Sequence, residues 1–320
     1  MLPYSQKYLI NRTTNNKKDS MFLVLLAYAI FSVTFTLGKQ AMSYGQPLLF
    51  VAFRMLFAGT VLVGYQYFFT REKFKINKED WPYFLKIMFF QIYVAYCLQY
   101  WALPFVKTTK WALIYTIAPF ASAFFSYLHF SEKVTIRKFI GLIIALSGLL
   151  PVLLVDAPAE DAVMAVSFIS WPEIAIFVSA IAFSYGWIVT RRLTRKNSYS
   201  SVMINGITMI GGGLLSLITS PFVDQWSPSP VVNWSAFLQI VVIISIFSIL
   251  YYVLNTSLLK RYTATFLSLM SAIDPLYVAF YSWIYLGETV SPRFFISIAV
   301  IFVGIYTFYQ EEISQGYIVK

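Results

Sequence analysis

Apolar residues along this chain come in runs of roughly twenty, separated by short segments that hold most of the charges. A helical run of that length crosses a hydrocarbon layer about 30 Å thick, because an α-helix rises about 1.5 Å per residue. The pattern predicts an all-α integral membrane fold with ten spans. Their predicted bounds are Met21–Ser43, Leu48–Phe69, Tyr83–Leu103, Trp111–Phe130, Phe139–Val155, Pro172–Thr190, Val202–Phe222, Ala236–Leu259, Ala264–Leu286 and Phe294–Tyr309.

Composition agrees with this pattern. Of the 320 residues, 59% are hydrophobic and 12% are charged, whereas soluble domains are about half apolar and a quarter charged. The single cysteine, Cys97, and the single histidine, His129, exclude an intrachain disulfide and a cysteine- or histidine-rich metal site. We therefore expect no cofactor and no metal.

The distribution of lysine and arginine predicts the orientation. With the N-terminus inside, the cytoplasmic segments carry eighteen of these residues and the outer segments carry only Lys107, Lys110 and Arg293. Such residues collect on the cytoplasmic side of membrane proteins. The prediction is a multi-pass protein of a bacterial inner membrane with both termini in the cytoplasm. The net charge of +10 then needs no nucleic-acid partner, and the expected partners are the lipid bilayer and a small-molecule substrate.

An internal repeat relates the two halves. A shift of 156 residues superimposes "LIYTIAPFASAFFSYLHFSEKVTIRKFI" on "LMSAIDPLYVAFYSWIYLGETVSPRFFI", and 12 of 37 aligned positions from Ala112 to Gly148 are identical. A weaker similarity between the two halves aligns Phe31-Ser32 with Phe183-Ser184. Because five helices is an odd number, the second copy enters the membrane from the opposite side, as in transporters with inverted repeats. The predicted organisation is an N-terminal cytoplasmic tail (1–20), a first five-helix repeat (21–155), an external linker (156–170), a second five-helix repeat (171–310) and a C-terminal cytoplasmic tail (311–320).

Two features carry a family resemblance. A helix with a mid-span proline and a glutamate thirteen residues later occurs twice, as Pro119…Glu132 and Pro275…Glu288, and Lys39 near the end of the first span is followed by Arg54 in the second. In these features the chain resembles the drug/metabolite transporter superfamily, in its ten-helix EamA-type branch. The resemblance implies alternating-access transport of a small organic solute, often coupled to a proton or to an exchanged solute.

Asp274 departs from that family pattern. It lies near the middle of the ninth predicted span, and the matching residue of the first half is Ala118. An aspartate at the bilayer centre costs about 2.5–3.5 kcal/mol and normally faces a cavity or a partner. The neighbouring Pro275 removes a backbone hydrogen bond and should open the helix there. Three roles are open: an ion pair with Arg54 or Lys39, proton coupling, or contact with a cationic substrate.

The sequence predicts two groups of site residues. Aromatic residues form 19% of the chain, and an acid among aromatic rings suits an organic cation with a flat ring. The predicted substrate-binding residues are Asp274, Gln99, Tyr96, Tyr100, Tyr115, Asn255, Tyr277 and Tyr281. The predicted gating or ion-pairing residues are Lys39, Arg54, Glu132, Glu288, Pro119 and Pro275. Neighbouring bases such as Arg137 and Arg293 are expected to pair with the two glutamates.

The resemblance also leads to a specific substrate. Runs of lysine, asparagine, isoleucine, phenylalanine and tyrosine are typical of AT-rich genomes, and branches of this superfamily in intracellular bacteria carry S-adenosylmethionine. This sulfonium compound with an adenine ring matches both the acid and the aromatic residues. We therefore expect uptake of S-adenosylmethionine in exchange for S-adenosylhomocysteine.

Other functions remain open at this point. The chain could carry an amino acid or another neutral metabolite, with Asp274 structural, or an anion held by Arg54 and Lys39. A membrane enzyme is disfavoured because one histidine and one cysteine provide no nucleophile–base or metal constellation. A hydrolysis-driven pump is disfavoured by the lack of a Walker-type glycine loop. The direction of flux, the coupling ion and the choice between monomer and dimer stay undetermined.

Overall fold

A computed structural model of the chain describes residues 17–69, 76–106, 108–153, 170–196, 199–286 and 292–318. Long apolar helices dominate this part of the chain, in agreement with the predicted all-α membrane class. Their bounds are α1 (Lys17–Ala41), α2 (Pro47–Phe69), α3 (Lys78–Phe105), α4 (Thr108–Tyr115 and Ile117–Phe130), α5 (Ile136–Ser147, then Leu150–Leu153), α6 (Trp171–Lys196), α7 (Ser201–Val223), α8 (Trp234–Leu258), α9 (Ala264–Met270 and Asp274–Leu286) and α10 (Pro292–Ser314).

Nine of these helices, within the described residues, are long and apolar enough to cross a membrane. The remaining one is α5, the fifth predicted span, which is described only as Ile136–Ser147 and Leu150–Leu153. The predicted bounds also shift at the ends: α1 begins four residues before Met21, and α10 continues to Ser314, five residues beyond Tyr309. The predicted tail 1–20, the predicted linker 156–170 and Glu288 fall largely or wholly outside the described residues.

The two helices that carry the repeated mid-span proline, α4 and α9, are interrupted just before that proline. In α9 the segment Ser271–Ile273 is a 3-10 turn between the two α-helical parts, immediately before Asp274 and Pro275. In α4 the interruption falls at Thr116, three residues before Pro119. A proline cannot donate the i to i−4 backbone hydrogen bond, and its ring crowds the preceding turn. The two breaks therefore fall at matching positions of the repeat.

Small residues allow the helices to approach closely. α2 packs against α7 and α5 packs against α10, in the two most extensive helix pairs. A side chain at Gly59 of α2 would collide with Ile210 of α7, and one at Gly304 of α10 would collide with the backbone of Ala145 in α5. Close approach at small residues is the usual basis of helix packing in membranes.

The α5–α10 contact provides a test of this packing. In Gly304→Ala, the added Cβ would lie 2.2 Å from the backbone nitrogen of Ala145, so the helices must move apart, at a cost of about 1–3 kcal/mol. Gly64→Ala is the matched control, because no atom lies within 4 Å of its added Cβ. We expect a lower thermal unfolding midpoint in detergent for Gly304→Ala and an equal or higher midpoint for Gly64→Ala. Equal midpoints for the two variants would contradict the described packing.

Candidate functional site

A cavity lies between the central helices, where α4 and α9 are interrupted. It encloses about 820 Å³ of space between atoms, a figure that includes its open mouth. Residues of α1, α4, α5, α6, α8 and α9 line it. They are Tyr28, Phe31, Trp111, Ala112, Tyr115, Thr116, Ala118, Pro119, Leu146, Leu149, Phe183, Trp187, Tyr251, Asn255, Leu259, Ala264, Leu267, Ser268, Ser271, Ala272, Asp274 and Pro275.

Asp274 supplies the acidic group of this cavity. It begins the second part of α9, and its Oδ1 accepts a hydrogen bond of 3.1 Å from the hydroxyl of Ser32 on α1. No lysine or arginine of the described residues forms an ion pair with it. The structure therefore does not contain an ion pair between Asp274 and Arg54, which was one of the roles left open by the sequence. An unneutralised carboxylate in a cavity can bind a cation or a proton.

Arg54 is stabilised in a different way. Its guanidinium donates to the Tyr100 hydroxyl at 2.6 Å and lies 4.6 Å from the ring centre of Tyr96. A weaker contact of 3.4 Å reaches Ser248, and Tyr96 accepts a hydrogen bond of 2.8 Å from Tyr252. Tyrosine hydroxyls and ring faces can hold a buried guanidinium. This arginine cluster lies outside the cavity lining, and so do the predicted binding residues Tyr96 and Tyr100.

Aromatic rings form much of the cavity wall. Phe31 stacks on Tyr251 with ring centres 4.4 Å apart, and Trp111 stacks on Tyr115 at 4.7 Å. Trp187 stands edge-on to Tyr251 at 6.3 Å. Such a wall offers flat faces to a flat ligand and quadrupole attraction to a cation. Such a wall, with a carboxylate in the same cavity, can bind a flat aromatic cation.

Five predicted site residues meet in the cavity lining: Asp274, Tyr115, Asn255, Pro119 and Pro275. The amide of Asn255 is of particular interest because its Oδ1 is buried without a hydrogen-bond partner. A buried polar atom of this kind is costly unless a ligand or water satisfies it. The cavity thus contains one carboxylate and one amide with unused binding capacity.

Other predicted binding residues lie in the packing around the cavity. The hydroxyls of Tyr277 and Tyr281 donate to the carbonyls of Leu25 and Ala29 on α1, at 3.1 and 2.9 Å. Gln99 is buried in α3 outside the lining, and Lys39 is exposed in the last turn of α1. Tyr277 and Tyr281 thus attach α9 to α1. A binding role for these two tyrosines, for Gln99 or for Lys39 stays a prediction.

Glu132 forms a buried ion pair, but with a different base from the one expected. Its Oε1 lies 2.5 Å from Nη2 of Arg191 in α6, and both side chains are at most 6% exposed. Arg137, named from the sequence as a neighbour, instead lies 3.9 Å from Glu311 and is 80% exposed. Arg191 is one of the eighteen basic residues assigned to cytoplasmic segments from the sequence, and in the structure it lies within α6. The pair joins the end of α4 to α6.

Sequence reasoning missed several residues of the cavity wall. Tyr28, Phe31, Phe183, Trp187 and Tyr251 all line it. The similarity of Phe31-Ser32 to Phe183-Ser184 could have predicted part of this wall, because both phenylalanines line the cavity. Both serines also donate to its interrupted helices: Ser32 to Asp274 and Ser184 to the carbonyl of Ala118, at 3.0 Å. Asp274 and Ala118 are the residues that the repeat aligns.

The described residues contain no cluster of three or more histidine, cysteine, aspartate or glutamate side chains that could hold a metal ion. Cys97 is buried, and its sulfur lies 2.8 Å from the hydroxyl of Ser216. His129 has its Nδ1 3.1 Å from the carbonyl of Phe125 in the same helix. Neither side chain lines the cavity.

Comparison with known proteins gives consistent results. The EamA-like transporter family matches residues 19–154 and 170–310. A relative named S-adenosylmethionine/S-adenosylhomocysteine transporter in Chlamydia muridarum (strain MoPn / Nigg) is 34% identical, covering 94% of this chain and 95% of its own length. A relative of the same name in Chlamydia trachomatis serovar L2 is 33% identical, covering 93% of this chain and 91% of its own length. A solved crystal structure of a protein with 17% identity aligns with a TM-score of 0.69, covering 92% of this chain and 98% of that one, which shows the shared fold.

The buried pair of Glu132 and Arg191 predicts a stability change. Arg191→Met leaves an unpaired buried carboxylate, which typically costs about 3–5 kcal/mol. We expect a clearly lower thermal unfolding midpoint for this variant and partial recovery when Glu132→Gln is added. Arg137→Met is the matched control and should leave the midpoint unchanged, because Arg137 is exposed. A stable Arg191→Met protein would show that the pair does not hold α4 to α6.

Proposed function

Since the chain belongs to the EamA-like transporter family, we propose that it exchanges S-adenosylmethionine for S-adenosylhomocysteine across a bacterial inner membrane by alternating access. Family membership indicates a membrane transporter rather than an enzyme. Two relatives that carry this substrate pair in their names are about one-third identical over nearly the whole chain. The cavity chemistry of this chain supports the same substrates independently.

The observation that carries the proposal is the carboxylate of Asp274 in the cavity. Its neighbour within hydrogen-bond distance is the Ser32 hydroxyl, and no cation of the described residues neutralises it. S-adenosylmethionine brings two positive groups, a sulfonium and an α-ammonium. Either would offset the cost of a carboxylate at membrane depth. A metabolite without any positively charged group would leave that cost uncompensated, so a substrate with an ammonium or sulfonium group is favoured.

The aromatic wall supports the adenosyl part of the substrate. Trp187, Tyr251 and Phe31 lie around one side of the cavity, and base–aromatic stacking contributes about 1–3 kcal/mol per base. S-adenosylhomocysteine has the same adenosyl group and the same α-ammonium, but no sulfonium charge. The shared groups explain how one site can carry both partners of an exchange.

Alternating access follows from the proposed inverted repeat. The two halves supply equivalent parts of the cavity: Phe31 and Phe183 in its wall, and the interrupted helices α4 and α9 on its two sides. Two halves of one fold in opposite senses can exchange conformations, which exchanges the side that is open. With the predicted orientation, α4, α6 and α10 end at the cytoplasmic side.

That cytoplasmic end is held shut by contacts between the two sides of the cavity. The hydroxyl of Thr265 at the start of α9 donates to Ser126 of α4 at 3.1 Å. Arg195 of α6 donates to the carbonyls of Leu259 and Tyr262, at 2.9 and 3.2 Å. Because Leu259 also lines the cavity, these bonds close its floor. We take them as the contacts that must break for release into the cytoplasm.

Asp274→Asn tests the proposal. The substitution keeps the size of the side chain and removes its charge, and a hydrogen bond to a charged group contributes about 1.5–3 kcal/mol. We expect uptake of labelled S-adenosylmethionine into proteoliposomes to fall at least about tenfold. Glu311→Gln makes the same change outside the cavity and should keep wild-type uptake. Equal uptake by Asp274→Asn and wild type would remove the aspartate from the binding site.

A further inference from the structure

We propose that Asn255 reads the adenine base of the substrate, its amide pairing with the exocyclic amino group and the N7 atom of the purine. This inference rests on the proposed function and names the residue that decides which nucleoside the cavity accepts. The site so defined consists of an aromatic face on α8 and α6 and an amide one helical turn away.

The position of Asn255 on α8 brings the amide to the cavity. Tyr251, Asn255 and Leu259 are spaced four residues apart and all line it. Side chains at i and i+4 lie above one another on the same face of a helix. The ring of Tyr251 and the amide of Asn255 are therefore neighbours on one cavity wall, with the ring of Trp187 edge-on beside them.

The unused bonding capacity of Asn255 points to a ligand. The side chain is 2% exposed, and its Oδ1 has no partner among the described residues. The comparable amide of Asn205 on α7, by contrast, is satisfied by Thr256, which it meets at 3.0 and 3.2 Å. An unsatisfied buried acceptor is costly, so its retention beside a cavity is explained by a donor that arrives with the substrate.

Adenine has the matching pattern of donor and acceptor. An asparagine amide pairs with adenine in a bidentate way, its oxygen accepting from the N6 amino group and its nitrogen donating to N7. Hypoxanthine, the deaminated base, has an oxygen in place of that amino group and offers two acceptors on the same edge. The amide can then satisfy only one of its two hydrogen bonds with that edge.

Asp274 and Asn255 lie at different depths in the helix bundle, which suits an extended substrate. Leu259 caps α8 and Ala264 begins α9 after a short connection, and Asn255 lies one helical turn, about 6 Å, before Leu259. Asp274 follows Ala264 by ten residues along α9. Ten residues of helix rise about 15 Å. The carboxylate of Asp274 and the amide of Asn255 therefore lie at different depths, so that one can hold the cationic amino-acid part while the other reads the base.

The test compares two inhibitors of labelled S-adenosylmethionine uptake in proteoliposomes: S-adenosylhomocysteine and its deaminated analogue, S-inosylhomocysteine. We expect wild type to prefer the adenosyl compound by about tenfold or more. In Asn255→Leu the ratio of the two inhibition constants should fall to near one, and in Asn255→Gln, which keeps an amide, part of the preference should remain. The ratio is measured within one protein, so differences in expression or folding cancel.

The outcomes separate this inference from the proposed function. No uptake of S-adenosylmethionine by wild type would overturn the proposed function itself. Wild-type uptake with equal inhibition by the two compounds would overturn the role of Asn255 alone, without need of any variant. An unchanged adenosyl preference in a transporting Asn255→Leu protein would overturn it equally.

Discussion

An unneutralised carboxylate within the membrane is the constraint around which the central helices are arranged. Asp274 follows a break in α9, next to a proline that removes one backbone hydrogen bond, and Ser32 of α1 provides its hydrogen bond. A carboxylate at this depth is tolerable only where a cavity, water or a cation can reach it. The aromatic wall and the cavity between α4 and α9 provide that environment. A cationic substrate would complete it.

The arrangement gives two buried basic side chains, Arg54 and Arg191, separate structural roles. Arg54 is held by tyrosine rings and hydroxyls behind the cavity wall, and Arg191 pairs with Glu132 where α4 meets α6. Neither competes with a substrate for Asp274. The cavity lining, within the described residues, contains no arginine or lysine that could bind an anionic substrate. The balance of charge thus favours a cation over an anionic solute.

The helices were predictable because membrane spans follow from length and apolarity, two properties that can be read one segment at a time. The breaks in α4 and α9 were also predictable from a local feature, because Pro119 and Pro275 each remove a backbone hydrogen bond of their helix. The cavity wall was less accessible, since every face of these helices is apolar and periodicity does not distinguish cavity from lipid. Tyr96 and Tyr277 were therefore placed in the site while Trp187 and Tyr251, of the same chemical type, were missed. The partner of Glu132 depended on a contact between residues 59 apart in the chain, which no local pattern encodes.

Exchange across a reconstituted membrane is the most direct test of the central claim. Uptake of labelled S-adenosylmethionine would be measured in proteoliposomes loaded with S-adenosylhomocysteine and in empty ones, with wild-type protein in both. A carrier that exchanges the two compounds through one cavity predicts faster uptake into the loaded vesicles. Absence of uptake in both sets of vesicles would contradict the assigned substrate. Equal uptake with and without internal S-adenosylhomocysteine would contradict exchange.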